Sequence, residues 1–185
     1  EAENAALIWA TNAQQAQIVA LEAQVAALAL QAVDNIAAYL EVDISNPSKP
    51  VVRIVGANLQ VVNGLGSTET KNGVGNLIVG YDEAAFNGTT ARAKFCSDGI
   101  YADEATCLSA AETWGDSQKS GSHYIVGGEA NSYTQSGGLV VGYGNVSNAI
   151  YSSVSGGYNG TASGKWSSVS GGINNEASGI SSSVS

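Results

Sequence analysis

The residues best equipped for chemistry in this 185-residue sequence are few: two cysteines, one histidine and two pairs of adjacent carboxylates. Cys96 and Cys107 lie close together inside one polar, Gly-containing segment. A disulfide between them suits an oxidising, extracytoplasmic setting, and closing a loop of that size contributes roughly 3 kcal/mol in the chain-entropy model. Two reduced thiols are the alternative. His123 is the only histidine, so a catalytic triad or a zinc site within one chain lacks partners, and the residue is read as structural. Asp82-Glu83 and Asp103-Glu104 invite comparison with the carboxylate pairs of solenoid glycosidases. Neighbours at i and i+1 point apart in strand or helix, so both pairs read as solvated surface charge.

The Gly-rich runs NGVGNLIVG (72–80) and VGYGNVSN (141–148) match neither the dinucleotide fingerprint nor the phosphate loop. Asn87-Gly-Thr, Asn145-Val-Ser and Asn159-Gly-Thr fit the glycosylation pattern, but such matches arise by chance in a Gly/Asn/Ser-rich sequence. The expectation is therefore a non-enzymatic protein with no cofactor and no metal. Tyr143, Tyr151, Tyr158 and Trp166 alternate with small polar residues. Such rings either pack between protomers or stack on sugars, and the need to bury them favours the interface.

What must position these residues is unusual in composition. Gly numbers 23, Pro 2 and Met 0, and charged residues make up only 12%. Sixteen acids against seven bases give a net charge of -9 with no basic cluster, which argues against nucleic acid and anionic membrane as partners. No signal-peptide pattern opens the sequence and no apolar run is long enough to span a bilayer, so no direct membrane insertion is expected in this segment.

Residues 5–42 contain neither Gly nor Pro and are dominated by Ala, Leu, Gln and Val, which predicts one long helix. Ile18, Leu21, Val25, Leu28 and Ala32 alternate three and four apart, the spacing of a coiled-coil seam. The same register carries Leu7, Thr11, Gln14, Asn35 and Tyr39. Ile36 and Leu40 fit the stripe better than Asn35 and Tyr39, which predicts a four-residue stutter. A helix this poor in charge must bury its stripe against copies of itself or a partner. Pro47 and Pro50 end the helical pattern, and Val51 to Val62 reads as extended chain.

A short repeat follows. An apolar residue, one small or apolar residue and Gly recur at Ile78-Val79-Gly80, Ile125-Val126-Gly127, Val140-Val141-Gly142, Val154-Ser155-Gly156 and Val169-Ser170-Gly171, with Val184-Ser185 last. From Ile125 onward the steps are 15, 14, 15 and 15 residues. Asn131, Asn145, Asn159 and Asn174 keep pace, as do Ala162 and Ala177. A fixed short period with recurrent Gly and Asn marks a β-solenoid, each coil giving two short strands and two tight turns. Ile78, Ile125, Val140, Val154, Val169 and Val184 are expected to line the roll interior, with the two alanines at a second inward position. Between Ile78 and Ile125 the composition becomes ordinary, holding seven of the sixteen acids and both cysteines. This stretch, 81–121, is read as an insertion looped out from the roll, with a short helix around Ala102 to Trp114.

An Ala-rich heptad helix, a short β neck and coils of the form SVSGGxxNxASG together resemble the stalk and YadA-like head of trimeric autotransporter adhesins and related bacterial or phage recognition fibres. The resemblance implies a mostly β fold: a trimeric coiled-coil stalk over 1–44, a β neck over 45–62, and a left-handed parallel β-roll head over 63–185 interrupted at 81–121. It implies a homotrimer on the cell surface, with a cell-surface glycan or protein as receptor. Asn35 resembles the inward Asn layers of such stalks, which hold an anion on the axis. The insertion with Cys96 and Cys107 is not part of the standard head repeat. A phage receptor-binding fibre shares the same physics, while an ice-binding solenoid and a glycan-degrading tail spike are more distant alternatives. The half-built coil at Val184-Ser185 suggests a chain that continues beyond 185.

Overall fold

A computed structural model describes residues 2–84, 94–115 and 117–185. Two compact units divide the chain, Glu1–Gln60 and Val61–Ser185.

The first unit contains helix α1 (Ala2–Ala37) and an antiparallel hairpin of β1 (Leu40–Asp43) and β2 (Val51–Ile54). Ile18, Leu21, Val25 and Leu28 form an exposed apolar stripe on α1, and Asn35 is exposed near its end. Ala32 belongs to α1, but its side chain lies outside those described. The helix ends five residues before the expected limit of 42. Tyr39, Leu40, Glu41 and Val42 fit a period of two as well as a heptad, and hydrogen bonding decides between them. Leu40 pairs with Ile54 and Val42 with Val52, while Val55 N–H donates to the Tyr39 carbonyl at 2.9 Å. The offset of Ile36 and Leu40 from the stripe is thus a change of secondary structure, not a stutter. Asx contacts shape the connecting turn, Ser45 N–H reaching Asp43 Oδ1 at 3.0 Å and Ser48 N–H reaching Asn46 Oδ1 at 3.1 Å. The hairpin is amphipathic, with Leu40, Val42, Val52 and Ile54 on one face and the Arg53–Asp43 ion pair, 2.9 Å long, on the other.

The second unit is a parallel β-solenoid of about four turns. One sheet stacks β3 (Leu77–Val79), β6 (Ser122–Glu129), β8 (Ser136–Tyr143), β10 (Ser153–Val154), β12 (Ser168–Val169) and β14 (Ser183–Val184). The other stacks β7 (Ser132–Tyr133), β9 (Val146–Ser147), β11 (Thr161–Ala162) and β13 (Glu176–Ala177). Val126, Val140, Val154 and Val169 are in register and fully buried, flanked by Ile78 at one edge and half-buried Val184 at the other. Facing them from the second sheet are Tyr133, Ser147, Ala162 and Ala177, also in register and buried.

Ile125 does not line the roll. It pairs with Leu77 and Leu139 and stands 51% exposed on the outer face, while Val126 takes the interior place. The double glycine 127–128 makes the register ambiguous in sequence, and the pairing of Gly128 with Gly142 resolves it. Ile78 shares the interior column but is 45% exposed, because β3 is the edge strand and no coil covers it within the described chain. The core tapers, from Tyr124 and Tyr133 with ring centroids 5.3 Å apart to the valine–alanine layers of the later coils.

The backbone turns in three columns of left-handed residues. One is all glycine, and at Gly157 (φ +91) a Cβ would lie 2.3 Å from the Gly172 carbonyl oxygen of the next coil. The second holds Ala130, Gly144, Asn159 and Asn174. The third holds His123, Gly137, Tyr151, Trp166 and Ser181. Bulky residues resist this conformation, and inter-coil hydrogen bonds hold them in it: Tyr151 N–H donates to Ser136 O at 3.0 Å and Trp166 N–H to Ile150 O at 3.1 Å.

Candidate functional site

The described parts of the insertion do not loop away from the roll but seat against it. Strands β4 (Phe95–Cys96) and β5 (Trp114–Gly115) pair antiparallel, and helix α2 (Glu104–Ser109) starts where the Asp103 carboxylate caps Thr106 N–H at 3.0 Å. The Cys96–Cys107 disulfide ties α2 to β4, with both cysteines fully buried. The insertion is fixed to the solenoid through Lys71, whose ammonium donates to the Asp98 carbonyl at 2.8 Å and the Thr134 carbonyl at 2.9 Å. Burial lowers the Lys71 pKa, opposed by the charges of Asp98 and Glu112. Gly99 (φ +73) lies so near the roll that a Cβ would meet Thr134 Oγ1 at 2.2 Å and the Asn148 carbonyl at 2.9 Å.

At the base of the insertion Asp82 is 3% exposed, against the expectation of a surface charge. Its carboxylate faces the Lys119 ammonium at 3.1 Å and the Tyr133 hydroxyl at 3.5 Å, so ion pairing offsets the desolvation cost. Glu83 is exposed and separated from it, and Asp103 and Glu104 are exposed. Neither pair forms a two-carboxylate centre. His123 sits between Thr68, whose carbonyl is 3.0 Å from Nδ1, and Asn63, whose N–H donates to Nε2 at 3.3 Å. Among the described residues no group of three metal-binding side chains comes together. No described helix is long and apolar enough to cross a membrane.

The four recurrent asparagines divide into two kinds. Asn131 and Asn145 are fully buried inside turns, whereas Asn159 and Asn174 occupy left-handed backbone positions. Burial removes Asn145 as a glycosylation acceptor, and Asn87 and Phe86 lie outside the described residues. The aromatic residues also separate. Tyr143 and Tyr158 stack at 5.3 Å with planes 2° apart, next to the exposed Ile173. Tyr151 donates its hydroxyl to Glu69 at 3.3 Å, and Trp166 is 53% exposed with the Lys165 ammonium 4.5 Å from its ring centre.

Between the docked insertion and the roll lies an open cleft of about 300 Å³. Gly99 and Ile100 form one wall, and Gln135, Asn148, Ser163 and Lys165 line the other. The Asn148 Oδ1 is buried there without a hydrogen-bond partner. Sequence reasoning missed this cleft because it depends on the insertion seating on the solenoid, for which only Gly99 leaves a trace in the sequence. No family model, curated protein or solved structure matches the chain.

Proposed function

We propose that this chain is a segment of a non-enzymatic trimeric fibre, a bacterial surface adhesin in which stalk and roll act as spacer and support for attachment to a host or prey cell. The observation that carries the reading is the apolar surface one chain leaves open on both elements of its first unit. Ile18, Leu21, Val25 and Leu28 on α1 are exposed at heptad spacing, and the hairpin that follows exposes Leu40, Val42, Val52 and Ile54 on a single face. A lone two-stranded hairpin is marginal in water, and an Ala-rich helix of this length needs a partner for its stripe.

Three parallel copies satisfy both requirements at once. The helices then form a coiled coil with Ala32 in its core and Asn35 as a polar layer able to hold an anion on the axis. In the second unit Leu77, Ile125 and Leu139 share an outward column that is continued by serines in the later coils, so the apolar part of the roll surface also finds a neighbour in a trimer. The roll is left-handed in this reading, as in the YadA-like heads it resembles. Sedimentation or light scattering tests it, with a mass near three times 18.7 kDa expected and a monomer contradicting it. A phage receptor-binding fibre is built on the same physics, and the full reading frame distinguishes the two owners.

A further inference from the structure

The geometry points to the cleft between the insertion and the solenoid as a subsite for an acidic pyranose, such as a sialic or uronic acid residue of a surface glycan. The inference rests on the attachment reading above and names the class of receptor. Among the described residues lining the cleft Lys165 is the only charged one, in a chain with net charge -9. A cation placed there meets a carboxylate more readily than the rest of the surface does. Asn148 lines the cleft with a side-chain oxygen that makes no hydrogen bond and is closed to solvent in the empty cleft, so a sugar hydroxyl satisfies it after a rotation of the side chain. Ser163 adds a hydroxyl and Gln135 its amide oxygen, the Gln135 Nε2 being held by the Asp98 carbonyl, and such short polar groups select among hydroxyl arrangements. Ile100, 73% exposed, offers an apolar wall to the ring face.

The cleft also has a defined construction. Its roll side is a ladder, with Asn148 and Ser163 one coil apart, since Ser147 pairs with Ala162 immediately before them. Its other side is set by the disulfide-closed loop, which Lys71 and the close approach of Gly99 hold down. A rigid loop against a rigid ladder lowers the ordering cost of binding.

Saturation-transfer NMR on the full chain, with 3′-sialyllactose, a hyaluronan tetrasaccharide and lactose as probes, tests the assignment. Transfer to at least one acidic saccharide is expected to exceed that to lactose. Lys165→Glu should weaken acidic binding by roughly tenfold or more, Ile100→Ser should weaken it less, and Lys49→Glu, the same charge change in the other unit, should leave it intact. Absence of transfer to both acidic saccharides at millimolar concentration, equal transfer to lactose, or equal binding by the Lys165→Glu variant overturns the proposal. Sedimentation of the same samples reports separately on the trimer, so the failure of one reading is distinguishable from failure of the other.

Discussion

The backbone N–H of Asn145 donates at 3.0 Å to Oδ1 of Asn131 in the preceding coil, so the two buried asparagines are successive rungs of one ladder. Asn145 repeats the pattern forward: its Oδ1 accepts from Gly160 N–H at 2.7 Å, and its Nδ2 donates to the Val141 carbonyl at 2.6 Å and the Gly157 carbonyl at 3.2 Å. An Asn145→Ala variant loses all three and strands the Gly160 donor in a dry interior. A cost of about 3 kcal/mol is expected, measured as a shift of the urea midpoint. Asn175→Ala, which removes the Nδ2 bond to the Gly171 carbonyl near the last coil, should cost less.

Gly157 and Gly171 belong to the same repeat but carry opposite constraints. A Cβ on Gly157 meets the Gly172 backbone, while one on Gly171 meets nothing within 4 Å. Gly157→Ala also has to hold φ at +91. It should lose upwards of about 2 kcal/mol, whereas Gly171→Ala should stay within about 0.5 kcal/mol of the parent. Thermal melts of the two variants separate these outcomes.

Alkali should loosen the thick end of the roll. Burial pushes the Tyr124 hydroxyl up to about 12, opposed by its hydrogen bond to Ser147, and burial with the nearby Asp82 charge does the same for Tyr133. Both groups ionise near 10 in the unfolded chain. Their contribution is therefore complete below pH 10 and is lost as the pH rises from there through 12. For Tyr124 the loss is on the order of 2 kcal/mol. Tyr124→Phe keeps the ring, leaves Ser147 bonded to Ser152 at 2.6 Å, and should flatten this part of the stability profile between pH 10 and 12.

The elements that repeat were legible and those that depend on contact between distant segments were not. Val140, Val154 and Val169 could be placed inside because each recurs with its own turn glycines. Ile125 was displaced by one residue because Gly127 and Gly128 satisfy the same pattern. Tyr39 to Val42 fit a heptad and a strand equally, and the partner strand Val51–Ile54 decided between them. Asp82 looked like surface charge until the chain returned 37 residues later with Lys119. Tyr151 and Trp166 gave no hint of left-handed backbone, since inter-coil hydrogen bonding, not residue preference, puts them there.

Leu21 offers the most direct test of trimeric assembly. It lies on the exposed stripe of α1 with Ile18 and Val25, so in one chain Leu21→Asp removes no buried contact. In a three-helix core the same change replaces three leucines, each worth about 2 kcal/mol when buried, with three carboxylates facing one axis. The variant should sediment as a monomer or weakly associate, while the circular dichroism of the roll persists because the second unit has its own core. Trp9, 79% exposed but off the stripe, provides the control. If exposure alone drove association, Trp9→Ser would disrupt it comparably; if heptad register drives it, Trp9→Ser leaves the mass near three chains and only Leu21→Asp reduces it.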